Sequence, residues 1–172
     1  AHLNYLNIDM PGTCIRIKDG SAHYQFENKQ LALSTLTYNL TFSPSYIRPC
    51  DFAFLLPELR PFVKKIDLST KISGTISSLR MHDLHLSGSN IYFSANGEIS
   101  NWQNDLQWKG HINTLNLHAN GIQFIVDNLG QQFHIPIEIT RLGNIYFKGD
   151  CSGRRKDIAL KGKLHTDAGN AT

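Results

Sequence analysis

The chain has 172 residues, 41% of them hydrophobic, and its formal charge at pH 7 is +3. This length and composition predict one folded domain over residues 1–172 and exclude an intrinsically disordered chain. Lysine and arginine are spread thinly, and the run Arg154-Arg155-Lys156 lies at a predicted hairpin tip, so a solvated turn is favoured over a nucleic-acid or phosphate site. No apolar run approaches the ~20 residues that span a bilayer, and the N-terminus has no signal-peptide pattern.

The first fifty residues predict short antiparallel strands. Residues 5–10 and 14–18 read as two strands joined by a turn at residues 11–12, and Asp19-Gly20 predicts a hairpin turn. Beyond a polar turn at residues 27–30, Leu36 to Phe42 alternate with polar neighbours. Ser43-Pro44-Ser45 then ends this group of strands.

Residues 51–65 do not alternate. Phe52, Leu55, Leu56, Leu59 and Phe62 recur at helical spacing, Asp51 is placed to cap an N-terminus, and Lys64-Lys65 suit a C-terminus. Pro57 and Pro61 remove amide donors, so we expect one or two short, irregular helical turns that plug an end of the sheet core. A docked structural helix is favoured over a membrane-surface helix, because the segment is short and weakly basic.

Residues 66–119 carry the clearest pattern in the chain. Apolar residues alternate with polar ones through residues 66–76, 91–99 and 106–112, which is the period of half-buried strands. The parity slips at Asn113-Thr114, where we predict a bulge or tight bend. The pattern predicts antiparallel strands joined by short polar turns.

The same period is interpreted as strands through the C-terminal third, at residues 122–126, 133–139, 145–151 and 158–164. We therefore predict an all-β fold, an antiparallel meander with one short helix. Because only one helix is predicted, the apolar face must be covered by the sheet itself or curve into an open trough whose floor meets something other than protein.

Cysteine and histidine do not indicate a metal site or a catalytic centre. Cys14, Cys50 and Cys151 lack CxxC spacing and are expected to be small buried residues. His82 and His85 in the sequence HDLH point to opposite faces of a strand unless a bulge intervenes. No GxSxG elbow or paired-carboxylate signal is present, so no catalytic residue, cofactor or metal is predicted.

Several short patterns, taken in order, resemble the TamB and AsmA-like proteins in the form found in Bacteroidetes. They are DFAFLLPEL at 51–59, ISGTI at 72–76, LRMHDLHL at 79–86, RLGNIYFKG at 141–149 and GKLHTDAG at 162–169. The resemblance implies a segment of a longer periplasmic protein, anchored to the inner membrane outside this chain. It also implies a β groove with a hydrophobic interior and no catalytic residues.

In that family, the groove is associated with outer-membrane protein assembly alongside a BamA-type partner, and with phospholipid transport between membranes. The resemblance therefore implies acyl chains or unfolded outer-membrane β-strands as partners, and no nucleic acid. The alternative is a structural or adhesive cell-surface β-sandwich with a closed core. The groove positions implied for this chain are Ile91, Phe93, Ile122, Phe124, Val126, Phe133, Ile135, Ile137, Ile139, Ile145, Phe147, Ile158, Leu160 and Leu164.

Overall fold

The computed structural model describes residues 1–27, 30–54, 57–101, 105–133, 136–154 and 157–172. In this part of the chain, twelve antiparallel strands form a single sheet accompanied by one α-helix, which confirms the predicted all-β class. The strands are β1 (His2–Leu3), β2 (Leu6–Met10), β3 (Thr13–Glu27), β4 (Gln30–Phe42), β5 (Ser45–Ile47), β6 (Ile66–Thr75), β7 (Ser78–Gly88), β8 (Ile91–Ser100), β9 (Gln107–Leu117), β10 (Ile145–Arg154), β11 (Asp157–Thr166) and β12 (Gly169–Ala171). The α-helix, α1, is Ala119–Phe133.

The sheet is a meander over most of its width. Its order is β1-β3-β4-β6-β7-β8-β9-β10-β11-β12, with β2 paired to β3 and β5 bridging β3 and β6. From β6 to β11, each strand pairs with its neighbours along the chain, as the alternating residues predicted. The polar segments between these strands are correspondingly short, except between β9 and β10.

The hairpin turn predicted at Asp19-Gly20 is wrong, because β3 continues through it without reversing. Gly20 pairs with Leu3 on one side and Leu40 on the other. A Cβ atom at Gly20 would lie 2.8 Å from a methyl carbon of Leu40 and 3.3 Å from Cβ of Leu3. The glycine is therefore explained by the close approach of two leucine side chains across the strand.

Two bulges keep the apolar residues on one face. In β9, Thr114 pairs with Ser94 while Ile112 pairs with the next residue, Ala95, so Asn113 is the extra residue and the predicted bulge is confirmed. In β7, Met81 and Leu84 pair with Gly97 and Ala95, which leaves two residues of β7 opposite one of β8. Each bulge shifts the parity by one position, so that apolar residues three apart share a face.

The predicted strands at residues 122–126 and 133–139 are wrong. Residues 119–133 form α1, and a 3-10 helix spans Ile137–Leu142, while His134 and Ile135 lie outside the described residues. Ile122, Ile125 and Val126 also recur at helical spacing, and an alternation of only three residues does not distinguish the two periods. The Gln123 amide donates to Asp127 four residues on, at 2.7 Å, as a helix allows.

The segment 51–65 is confirmed as short, irregular helix: 3-10 helices span Pro49–Phe52 and Pro57–Leu59. Asp51, however, does not cap a helix. Its carboxylate accepts hydrogen bonds from the Gly12 amide (3.0 Å), the Thr13 hydroxyl (2.8 Å) and the Arg48 guanidinium (2.6 and 3.0 Å). These bonds fasten the 3-10 turn to the β2–β3 turn.

The Arg48 guanidinium is the main cause that holds the pKa of Asp51 below its ordinary value, with the Thr13 hydroxyl and the Gly12 amide acting in the same direction. A carboxyl whose pKa is lowered on folding binds its proton less tightly in the folded state. The stability that it contributes is therefore complete above the unfolded pKa near pH 4, and is lost as the pH falls through the lowered folded value.

We expect Asp51→Asn to lower the melting temperature by several degrees at pH 7, because an amide cannot replace a carboxylate facing Arg48. The difference from wild type should shrink as the pH falls below about 4. Thermal melting between pH 2 and 8 measures both effects, with the exposed Asp19→Asn as the control. A difference that grows on acidification would contradict this role for Asp51.

Candidate functional site

Apolar side chains of neighbouring strands lie opposite one another in rows that cross the sheet. One row runs from β6 to β11 through directly paired positions, so each large side chain meets the next. Its members are Leu68, Leu86, Phe93, Leu115, Phe147 and Leu164. We call the side of the sheet that carries these rows the apolar face.

A second row on the apolar face contains glycines where large residues would fill the surface. Gly97 pairs with Met81 and Gly110, and Gly110 pairs in turn with Cys151, which faces Leu160. A Cβ atom at Gly97 would lie 3.6 Å from the Met81 methyl, and one at Gly110 would lie 3.5 Å from the Cys151 sulfur. The Met81 and Cys151 side chains therefore lie on the side of the sheet toward which side chains at Gly97 and Gly110 would point.

The glycine row is the floor of an open depression of about 680 Å³, which we call the trough. Residues next to the row along each strand, among them Arg80, Glu98 and Lys109, also contribute to its lining. An adjoining depression of about 510 Å³ continues it over Trp108, Gly153 and Ile158. A Cβ atom at Gly153 would lie 2.3 Å from the Trp108 ring, so the indole lies flat across that glycine. Together the depressions are large enough for a lipid-sized ligand, since ligand pockets typically measure roughly 300–1,000 Å³.

The apolar face is poorly covered by protein. The accessible surface of the chain is 11400 Å², whereas a compact globular protein of 19.4 kDa exposes roughly 8,500 Å². Among the described residues, only Cys14, Ile17, Ala95 and Ile122 are buried hydrophobic residues. Ile158 and Leu160, at the β11 end of the trough, are 68% and 63% exposed.

The opposite face is polar and carries charges in cross-strand ladders. Glu98 of β8 pairs with Arg80 of β7 (3.2 Å) and with Lys109 of β9 (3.6 Å). The hydrogen bond from Arg80 is the main cause that lowers the pKa of Glu98. His111 contacts Asp150 at 2.6 Å on the adjoining strands. Such exposed pairs stabilise little, but they mark this face as the one that water covers.

Cys151 keeps the trough floor uncharged. Its thiol donates to the Gly110 carbonyl oxygen at 3.6 Å, and burial raises its pKa above the ordinary value for cysteine, with Asp150 adding to the shift. The thiol is therefore neutral at physiological pH. All three cysteines are free; Cys14 is buried as expected, whereas Cys50 and Cys151 are half-buried.

The predicted groove residues fall into two groups. Ile91, Phe93, Ile145, Phe147 and Leu164 lie half-buried in strands β8, β10 and β11, with Ile158 and Leu160 exposed at the β11 edge. The other predicted groove residues lie in α1 or in the 3-10 helix between β9 and β10, or fall outside the described residues. Ile122, Phe124 and Val126 are in α1; Ile137 and Ile139 are in the 3-10 helix; the side chain of Phe133 and all of Ile135 lie outside the described part.

Sequence reasoning missed the floor of the trough. Gly97, Gly110 and Cys151 lie on the apolar parity of their strands, but the predicted groove positions in these strands are all large side chains. The available signal was that glycines of successive strands share this parity. When such strands pair in register, their glycines become neighbours and leave a channel.

His82 and His85 are separated by the β7 bulge, the condition under which they share a face. Both are exposed, and the His82 ring lies 3.3 Å from the Ser73 hydroxyl. Asp83, between them, has a φ of 49°, and its amide donates to the Asn96 side chain at 2.9 Å. Within the described ranges, no three His, Cys, Asp or Glu residues are grouped so that they could hold a metal ion.

Comparisons with known proteins give no match to a family model, to a curated protein or to a solved structure. Among the helices of the described segments, none has both the length and the hydropathy needed to cross a membrane. The candidate site therefore depends on its own geometry: an amphipathic sheet with an open apolar face and a glycine-floored trough.

Two glycines of the apolar face should respond differently to alanine. A Cβ atom at Gly162 would lie 2.2 Å from the Lys148 carbonyl oxygen and 2.7 Å from Cα of Gly149, whereas one at Gly97 would have its nearest neighbour at 3.4 Å. We expect Gly162→Ala to cost about 1–3 kcal/mol of unfolding free energy through overpacking. Gly97→Ala should stay within about 0.5 kcal/mol of wild type. Urea unfolding measures both, and equal losses would contradict the described register.

Proposed function

We propose that this chain is a non-enzymatic segment of a TamB/AsmA-like protein, and that its trough receives the acyl chains of phospholipid during transport between membranes. The observation that carries the proposal is the open apolar face, whose glycine row leaves a lipid-sized depression uncovered by a second layer in the described part of the chain. The ordered sequence resemblance to that family supports the same reading.

The physical reason is the cost of leaving apolar surface in water. Each Å² of such surface removed from water contributes roughly 25 cal/mol, without directional requirements. An acyl chain laid on the floor recovers this free energy in proportion to the apolar area that it covers, and no directional contact restricts which chain can lie there. Since Ile158 and Leu160 leave the trough exposed on its β11 side, the chain can leave without unfolding the sheet.

The cellular setting is proposed from the resemblance. We propose that the chain lies in the periplasm, tethered to the inner membrane by a segment outside this sequence, with a BamA-type outer-membrane protein as the partner of the full-length protein. A sheet that is apolar on one face and charged on the other suits this setting, because its polar face remains hydrated while the trough carries lipid.

The β11 edge favours unfolded outer-membrane strands as a second cargo. In the described residues, β12 pairs only with Leu164, His165 and Thr166 of β11, so the edge from Asp157 to Lys163 is unpaired. An extended peptide can add to such an edge through main-chain hydrogen bonds. Lys161 and Lys163 are charges of the kind that protect exposed edges from indiscriminate pairing.

The test uses a phospholipid with a photoactivatable diazirine on its acyl chain. Leu160→Asp places a charge on the trough floor at a position that is 63% exposed, so folding should tolerate it. Gly97→Leu fills the floor from a position with room for a side chain. Thr37→Asp, exposed on the polar parity of β4, is the charge-matched control. Melting curves establish that each variant is folded.

We expect wild type and Thr37→Asp to be cross-linked equally, and Leu160→Asp to be cross-linked roughly tenfold less, because a buried charge against an acyl chain is costly. Bound lipid should also slow alkylation of Cys151, located by peptide mass spectrometry. Absence of lipid capture by folded wild type would overturn the proposal and favour the structural or adhesive alternative. Capture of an extended outer-membrane peptide instead would favour the second cargo.

A further inference from the structure

A second, more enclosed cavity lies apart from the trough, between α1 and the end of the sheet. Its volume is about 370 Å³. Ile66, Ile91 and Leu117 form its floor at the ends of β6, β8 and β9, while Phe124 and Ile125 of α1 form its roof. The segment after the second 3-10 helix closes one side through Phe62, whose ring meets that of Phe124 edge-to-face at 5.2 Å.

The position of this cavity follows from the path of the chain between β9 and β10. Leu117 and Ile145 are paired neighbours, so the intervening α1 and 3-10 helix leave and return at the same end of the sheet. The His118 amide donates to the Asn90 carbonyl oxygen at 3.0 Å and the Ala119 amide to the Asn144 side chain at 3.1 Å, which fix the start of α1 against two strand ends. Gly121 is buried against Asn90, since a Cβ atom there would lie 2.9 Å from Cβ of Asn90.

The charged residues that contribute to the cavity wall, among those the structure describes, are Lys64 and Lys65, and both are exposed. The Lys65 side chain points away from the cavity, because its amine lies 4.2 Å from the centre of the Tyr46 ring, which is not part of the wall. Lys64 is therefore the cation at the margin of the cavity. Over the described ranges, its amine has no carboxylate oxygen within 4.0 Å. The cavity thus combines an apolar interior with one positive charge at its margin.

We infer that this cavity binds a long-chain fatty acid, with its tail between α1 and the strand ends and its carboxylate at Lys64. The volume lies near the lower limit of roughly 300–1,000 Å³ for ligand pockets, which suits one aliphatic tail rather than two. The head group is an anion because the available partner is an ammonium group, which attracts a carboxylate most strongly where the adjoining wall is apolar.

This inference does not rest on the proposed transport function. The trough floor is Met81, Gly97, Gly110, Cys151 and Leu160, and none of these residues contributes to the wall of the cavity beneath α1. A fatty acid held there would occupy the protein whether or not phospholipid passes along the trough. The two sites can therefore be altered separately.

The experiment measures binding of hexadecanoic acid, tetradecanoic acid and methyl hexadecanoate to the full chain by native mass spectrometry and by displacement of a fluorescent fatty acid. Gly88→Leu fills the cavity, because a Cβ atom at Gly88 would lie 3.4 Å from Ile91 and 3.7 Å from Ile66. Ile125→Trp fills it from the helix, in case Gly88→Leu does not fold. Lys64→Gln removes the charge at the margin, and Lys65→Gln, whose amine lies over Tyr46, and the exposed Lys148→Gln are the controls.

We expect the acid to bind wild type more tightly than the ester, and shortening the tail by two carbons to weaken binding roughly tenfold. Lys64→Gln should bind acid and ester equally, whereas Gly88→Leu or Ile125→Trp should lose both. Gly97→Leu, Lys65→Gln and Lys148→Gln should bind as wild type does.

Equal binding of acid and ester to wild type, or full binding by a folded cavity-filled variant, would overturn the inference. Loss of hexadecanoate in Gly97→Leu alone would move the ligand to the trough, which would reject the cavity beneath α1 and leave the transport proposal standing. Loss of phospholipid capture with intact fatty-acid binding would reject the transport proposal and leave the fatty-acid site beneath α1 standing.

Discussion

The architecture depends on keeping apolar side chains on one face of a wide sheet while the sequence changes phase. A one-residue slip turns every later side chain to the opposite face. The bulges in β7 and β9 each compensate one such slip. At the β7 bulge, side chains provide hydrogen-bond partners for backbone groups that the strand pairing leaves unpaired. Asn96 accepts the Asp83 amide, and the Thr70 hydroxyl donates to the His82 carbonyl oxygen at 3.1 Å. Because Thr70 is buried, its hydroxyl supplies a partner where water has little access.

Once the phase is maintained, the choice of side chain decides what the apolar face can do. Large residues in the row through Phe93 and Phe147 pack against their neighbours and stabilise the sheet. The glycines at positions 97 and 110 give up that packing and create depth instead. The face therefore divides into a packed part and an empty part. Helix α1 and the cavity beneath it lie over Ile66, Ile91 and Leu117, at the strand ends next to the row of large residues. The packed part of the face is therefore also the part that the helix covers.

Strands β6, β8, β9, β10 and β11 could be predicted from sequence because they are long, and each contains at least four alternating positions. Strand β7 was not predicted by alternation, because its bulge between Met81 and Leu84 interrupts the period. The errors occurred where the pattern was short or had a second explanation. Ile122, Phe124 and Val126 fit a strand, but Ile125 fits only the helix, and its position decides between the two. Asp19-Gly20 consists of turn-forming residues, yet Gly20 lies within a strand, where its missing side chain leaves room for Leu3 and Leu40. Both leucines are far from Gly20 in sequence. The trough depends on which residues of neighbouring strands pair with one another, and the periodicity of a single strand carries no information about that register.

The rows that cross the sheet also set a length scale. In the described part of the chain, the row through Phe93 and Phe147 crosses the six strands from β6 to β11, and at about 4.8 Å between neighbours its span is roughly 24 Å. This distance is about one and a half times the depth of one hydrocarbon leaflet. An acyl chain lying along the row would therefore extend over most of its span. Each strand added at an edge would lengthen the row by a fixed increment without altering its cross-section.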